Sequence, residues 1–203
     1  MGDEKQLKTL VVTQGDITML RLPEGALVNP SNTGLILGSG VSGAIARRGG
    51  PYLQQTLHLA RSQLKKNRLD PGKAIDTEPG QLGYKRLIHV AIIGAKKIND
   101  RLISNAILNA FDKAEELKLK QIAFPAVGCG VAKFPLDRFL EIFWKIASQE
   151  LPRQKHIQEV YLCMFEGEEF EKAQQYAQEN AEKLPDSVQV KVNQTGFVGG
   201  LFS

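Results

Sequence analysis

The sequence predicts an α/β protein in which a largely parallel sheet carries helices on both faces. Three observations predict it. Apolar strand segments alternate with helical segments along nearly the whole chain. Residues 86–94 are almost continuously apolar, which requires cover on both faces of that strand. Two glycine-bearing loops each run from a strand into a helix, and ligands of such sheets gather at the carboxyl ends of strands.

The elements follow in order. Residues 7–14 are apolar and β-branched, hence a strand, and Gly15, Asp16, Ile17 and Thr18 turn out of it. Residues 26–29 form a second, buried strand. The chain then leaves through Asn29 and Asn32, crosses Gly34, Gly38 and Gly40, and enters a short helix over 41–48 that Gly49 and Gly50 stop. Pro51 suits the first turn of another helix, running to about residue 67. Asp70, Pro71 and Gly72 are turn chemistry, residues 73–78 a strand, 79–84 a turn and 86–94 the apolar strand. Asn99 or Asp100 caps a helix whose Leu102, Ile103, Ala106, Ile107, Ala110, Phe111, Ala114 and Leu117 keep helical spacing. Residues 121–126 are a core strand, 127–135 the second glycine loop, and 135–149 a helix. A strand over 159–165, a polar helix over 168–183 and an edge strand over 188–192 complete the pattern.

With 203 residues, 42% hydrophobic and 24% charged, the chain suits one substantial core. The expectation is a single domain over 1–182 and a C-terminal tail over 183–203 with Gly196, Gly199 and Gly200. No apolar run is long enough to span a bilayer and the N-terminus lacks a signal-like apolar region, so a soluble, cytoplasmic protein without a membrane partner is expected. Cys129 and Cys163 show no metal-ligand spacing, so reduced thiols, no metal and no cofactor are expected. The net charge of +4 is scattered among acids and favours a polyanion only weakly.

Glycines permit close backbone approach, and the first N–H groups of a helix have no partners inside it. The 28–51 loop therefore favours an anion, with phosphate the obvious guest. Gly38, Gly40 and Gly43 satisfy G-x-G-x-x-G, yet about nine residues separate the strand from the first of them, unlike an ordinary dinucleotide-binding turn.

Val12 to Thr18, Ala26 to Asn32, Gly38 to Ile45 and Ile122 to Pro135, together with Leu87-Ile88-His89-Val90, resemble the macrodomain family in order and spacing. The resemblance covers roughly residues 8–182. It implies a three-layer α/β/α sandwich around a mixed, largely parallel sheet, and binding of ADP-ribose or ADP-ribosylated proteins. By the same resemblance Asp16 accepts a hydrogen bond from the adenine amine and the Ile17 N–H reads a ring nitrogen; taken alone, Asp16 reads as a turn cap. Asn32 holds the distal ribose and is the candidate catalytic residue, while Asn29 pins the loop backbone. Gly40, Val41 and Ser42 present N–H groups to the diphosphate from one side, and Gly128, Cys129, Gly130, Val131 and Ala132 from the other. Phe165 stacks on adenine and Phe134 walls the distal ribose, each with a core aromatic as the alternative.

Two departures matter. Hydrolytic members usually carry Asp where this chain has Ser42, and serine has no useful base strength at neutral pH. Some members lacking that Asp are thought to use the ligand's own phosphate to activate water. Ala132 stands where many members have an aromatic closing over the distal ribose, which leaves that wall open. Cys129 near a helix N-terminus reads as a loop filler rather than a nucleophile, because no base is identifiable beside it. His89, on an apolar strand, reads as a hydrogen-bonded core residue, and Arg47, Arg48 and the basic residues over 61–68 as solvated helix faces.

The leading expectation is an ADP-ribose binder with slow hydrolysis of ADP-ribosyl esters. The alternatives are an O-acetyl-ADP-ribose deacetylase or mono-ADP-ribosyl-protein hydrolase, and an RNA or poly(ADP-ribose) binder, which steep salt dependence would betray.

Overall fold

Strict alternation of burial along the strands is what builds the layers. Leu10, Val12, Ile122, Phe124, Val160 and Leu162 point to one face of a sheet, and Val11, Ala123 and Tyr161 between them point to the other. The structure, a computed structural model, describes residues 7–193. In chain order the strands are β1 (Lys8–Gln14), β2 (Leu22–Asn32), β3 (Ala74–Thr77), β4 (Tyr84–Ile93), β5 (Gln121–Phe124), β6 (Glu159–Met164) and β7 (Val188–Asn193). The helices are α1 (Gly40–Gly49), α2 (Leu53–Ser62), α3 (Asp100–Glu116), α4 (Leu136–Glu150) and α5 (Gly167–Asn180). Gly196, Gly199 and Gly200 of the expected tail lie outside the described residues.

The strands form one sheet in the order β3-β4-β2-β5-β6-β1-β7, parallel except for the antiparallel pair β3/β4. Apolar stripes of α3, α4 and α5 cover one face, where Phe111, Phe124 and Phe143 pack with ring centroids 5.5 and 5.4 Å apart. The other face is closed by α1 and α2 through Ile45, Leu53 and Leu57. This is the expected three-layer α/β/α sandwich with a mixed, largely parallel sheet.

Boundaries moved where tertiary pairing or backbone strain overrode local preference. The second strand runs from Leu22 rather than Ala26, through Pro23 and Gly25, because Leu22 pairs with Tyr84 of β4 and, past a register shift, Gly25 pairs with Gln121 of β5. The helix after Pro51 stops at Ser62, five residues short of 67, and Lys66 and Asn67 take positive φ beyond it. Asn99 is the cap of α3, its Oδ1 accepting the Leu102 N–H at 2.9 Å. Val188–Asn193 pairs in parallel with β1 at the edge of the sheet, as the 188–192 segment suggested.

Candidate functional site

Unequal strand lengths open a crevice. The β2/β5 pairing ends at Leu27 opposite Ala123, whereas β2 continues beside β4 to Asn32 and β6 continues beside β1 to Met164. Beyond Phe124 the chain is loop, so the carboxyl ends of β2 and β6 stand apart above Pro125 and Ala126. The cavity between them has a volume of about 480 Å³, and Asp16, Ile17, Gly40, Val41, Gly130 and Phe165 are among its walls.

The first glycine loop is fixed along most of its length. A register shift between Ser31 and Asn32 re-aims the end of β2, and the Asn32 amide donates to Ile36 O at 2.7 Å and accepts from Ile36 N at 3.1 Å. Gln54 clasps the loop from α2, accepting from Leu37 N and donating to Leu35 O. Arg61 donates to Gly34 O and Arg68 to Thr33 Oγ1, so these two arginines brace the loop rather than only facing solvent. Gly43 must be glycine, since a Cβ there would lie 2.6 Å from Gly38 O. That contact presses the loop onto the first turn of α1.

At this junction Ser39 supplies no side-chain cap, and the first turn of α1 contains no acid. Gly43 N–H reaches Ser39 O, which leaves the Gly40, Val41 and Ser42 N–H groups at the positive end of the helix dipole. The neighbouring α5 differs: Glu168 and Glu169 occupy its first turn and offset its dipole. An anion in the crevice is therefore drawn to α1.

The second loop faces the first. Gly128 takes φ +90°, and its carbonyl accepts the Phe134 N–H at 2.9 Å. The Cys129 N–H reaches Ala126 O and the Lys133 N–H reaches Gly130 O, so the Cys129 N–H is engaged in a turn and is not offered to a guest. Among the described residues no backbone acceptor takes the Gly130, Val131 or Ala132 N–H. A Cβ on Gly40 would lie 4.0 Å from Val131 Cγ2, so the two loops meet across the crevice.

Asp16 forms the far end. Its Oδ1 accepts from Thr18 N at 2.9 Å and Thr18 Oγ1 at 2.6 Å, which is the cap that the residue's local pattern suggests. Its Oδ2 lies 3.4 Å from Arg48 Nε. A carboxylate has about four acceptor positions, so the group keeps capacity for a further donor. Beneath it the Ile17 carbonyl is held by the Tyr84 hydroxyl at 2.6 Å. Phe165 is 67% exposed on the cavity wall, which removes the core-aromatic reading. Arg47 also lines the cavity, and Glu166 and Glu169 complete the wall beside Phe165.

The expected residues divide. Asp16, Ile17, Gly40, Val41, Gly130 and Phe165 share the cavity. Phe134 is only 8% exposed, packs in the main core and is not among the walls of this cavity. Ser42 turns its side chain inward: Oγ donates to Asn29 Oδ1 at 2.8 Å, and only its N–H is left for a guest. Asn29 thus anchors the start of α1. Burial pushes the Cys129 thiol up to about 12, with Glu169 adding to the shift, so it is no thiolate nucleophile. Cys163, a wall residue whose Sγ donates to Gly15 O at 3.2 Å, is likewise pushed up to about 12 by burial. Sequence reasoning missed Arg47, Glu166 and Glu169, whose only signal was proximity to a glycine loop or to Phe165.

Among the described residues no group of three or more His, Cys, Asp or Glu is placed to hold a metal, and no helix is long and apolar enough to cross a membrane. A wider hollow of about 1030 Å³ lies at the amino ends of the strands, where Lys120 pairs with Glu24 at 2.8 Å. It holds neither glycine loop.

Comparison with known proteins bears on the family and the fold. A family model described as Macro domain matches residues 28–143. A Pyrococcus furiosus protein described as uncharacterized is 36% identical over 173 residues, 80% of this chain and 93% of the relative. An O-acetyl-ADP-ribose deacetylase of Cronobacter turicensis is 33% identical over 162 residues, 78% of this chain and 90% of the relative. The Oceanobacillus iheyensis macrodomain with ADP superimposes with a TM-score of 0.76 at 27% identity, over 84% of this chain and 90% of that one. A mutant of the same macrodomain with ADPR gives 0.76 at 26%, over 84% and 92%. On sequence and fold together, the chain belongs to the Macro domain family.

Proposed function

We propose that this chain binds ADP-ribose, free or attached to protein, across the crevice. Adenine lies against Phe165 with its amine toward Asp16 and a ring nitrogen toward the Ile17 N–H. The diphosphate lies between the N–H groups of Gly40, Val41 and Ser42 and those of Gly130, Val131 and Ala132, and the distal ribose points to Asn32. The observation that carries the reading is the approach of the two glycine loops, where a Cβ on Gly40 would come 4.0 Å from Val131 Cγ2, beside a helix start that no side chain caps. The macrodomain with ADP and its mutant with ADPR lend further support at 26 to 27% identity.

A second reading, hydrolysis of an acyl ester on the distal ribose, draws on the relative named O-acetyl-ADP-ribose deacetylase. The inward Ser42 hydroxyl supplies no base, so any turnover relies on the ligand phosphate to activate water, with Asn32 positioning substrate, and is slow.

Calorimetric titration of ADP-ribose into wild type and Asp16→Ala tests binding. Micromolar affinity, about 8 kcal/mol, with at least a tenfold loss in Asp16→Ala is expected. No heat, or AMP binding as tightly as ADP-ribose, overturns the reading. Release of acetate from O-acetyl-ADP-ribose, abolished in Asn32→Ala, tests the second.

A further inference from the structure

Beneath α1 and α2 a chain of neutral polar side chains crosses three strands at full burial. Ser42 Oγ donates to Asn29 Oδ1 at 2.8 Å, and Asn29 Nδ2 stands 3.1 Å from His89 Nδ1. His89 Nε2 stands 2.8 Å from Thr77 Oγ1, and Thr77 Oγ1 donates to Glu78 O at 3.3 Å. Asn29 pairs in register with His89, which places β2 and β4 side chains on one row, and Thr77 reaches in from the edge strand β3.

The proton order follows from the two ends. In one sense Ser42 donates to Asn29, Asn29 to His89, His89 to Thr77 and Thr77 to the Glu78 carbonyl, and every donor has an acceptor within 3.3 Å. In the reverse sense the Ser42 proton is left with Pro30 O at 3.5 Å. Both ends are long for O–H···O bonds, 3.3 Å at Glu78 O against 3.5 Å at Pro30 O, and the shorter end favours the first sense, in which His89 is the Nε2–H tautomer. The neutral ring agrees with burial, which brings His89 down to about 3.

We propose that Thr77 and His89 are positioning residues for the anion site: through Asn29 they fix the hydroxyl of Ser42, and with it the direction of the Gly40, Val41 and Ser42 N–H groups. The inference rests on the proposed ADP-ribose site for its affinity readout, and on the relay alone for its structural readout. Thr77 lies on the β3 edge strand and is not among the walls of the cavity. Removing its hydroxyl leaves the His89 Nε2–H without an acceptor and favours the reversed order. Asn29 then turns its amide, and Ser42 loses its strong acceptor.

The experiment compares Thr77→Val with Thr77→Ser. Thr77→Val is expected to weaken ADP-ribose binding about three- to tenfold and to shift the amide resonances of Gly40, Val41 and Ser42, while Thr77→Ser keeps both near wild type. Equal losses in the two variants, or unmoved Gly40–Ser42 resonances in Thr77→Val, overturn the relay. Nitrogen-15 shifts of the wild-type imidazole give a test that needs no variant to fold: an Nε2–H signature is expected, and an Nδ1–H signature overturns the proposal. If wild type fails to bind ADP-ribose, the function falls, yet the tautomer and the amide shifts still decide the relay.

Discussion

Arg48 Nε lies 3.4 Å from Asp16 Oδ2, so the helix whose first N–H groups are proposed to hold an anion also sets a cation against the carboxylate at the other end of the crevice. The pair is partly exposed, and such pairs contribute about 0–1 kcal/mol. Arg48→Ala is therefore expected to change stability by less than about 1 kcal/mol and ADP-ribose affinity by only a few-fold. Urea unfolding and calorimetry check both.

Asp16 is bound more tightly into the fold than that ion pair suggests, because Oδ1 caps Thr18 through both its N–H and its hydroxyl. Asp16→Ala is expected to lower stability by about 1 kcal/mol in addition to its effect on binding, and Asp16→Asn to recover most of the stability. Denaturant midpoints at constant slope measure the difference.

Phe165 is exposed, so Phe165→Ala leaves the denaturation midpoint nearly unchanged. If it stacks on adenine, ADP-ribose affinity falls by about 1–3 kcal/mol. Loss of stability with unchanged affinity would return the residue to a packing role.

His89 gives stability a pH dependence whose sign follows from its burial, which takes the ring from its ordinary value of 6.5 to about 3. The unfolded chain then binds the extra proton between those values. The contribution is complete above 6.5 and declines as pH falls toward 3, at about 1.4 kcal/mol per pH unit. Unfolding free energies of wild type and His89→Gln between pH 7 and 4.5 should diverge by that slope; parallel curves would show that His89 does not carry it.

Cys129 is protonated in the fold, its thiol held up to about 12. Alkylation at pH 8.5 should run at least about a hundredfold slower than for a free cysteine, read by mass spectrometry of the peptide that contains it. A rate like that of free cysteine would reopen the nucleophile reading.

Much of the fold was legible because its signals are local. The apolar spacing of Leu102 to Ala114 and the Asn99 cap located α3, and the apolar run ending at Ile93 announced a strand covered on both faces. What escaped was decided by tertiary packing. The second strand was legible only from Ala26, yet it begins at Leu22, where Leu22 pairs with Tyr84 of β4 ahead of a register shift. Arg47 and Arg48 read as solvated because a helix periodicity does not say what lies beyond its end, and here that is a crevice set by the shortness of β5. Phe134, beside a glycine loop in sequence, packs into the core against the space that Gly128 leaves near Ile103. The inward turn of Ser42 depends on Asn29 and His89, which only sheet register brings beneath α1.

The central claim is that facing N–H groups hold the diphosphate, and amide chemical shifts recorded during an ADP-ribose titration test it most directly. The account predicts that Gly40, Val41, Ser42, Gly130, Val131 and Ala132 shift together and saturate with one affinity, while Cys129 and Lys133, whose N–H groups are already engaged, move less. Shifts confined to the lysine-lined hollow around Lys118 and Lys155 would contradict it.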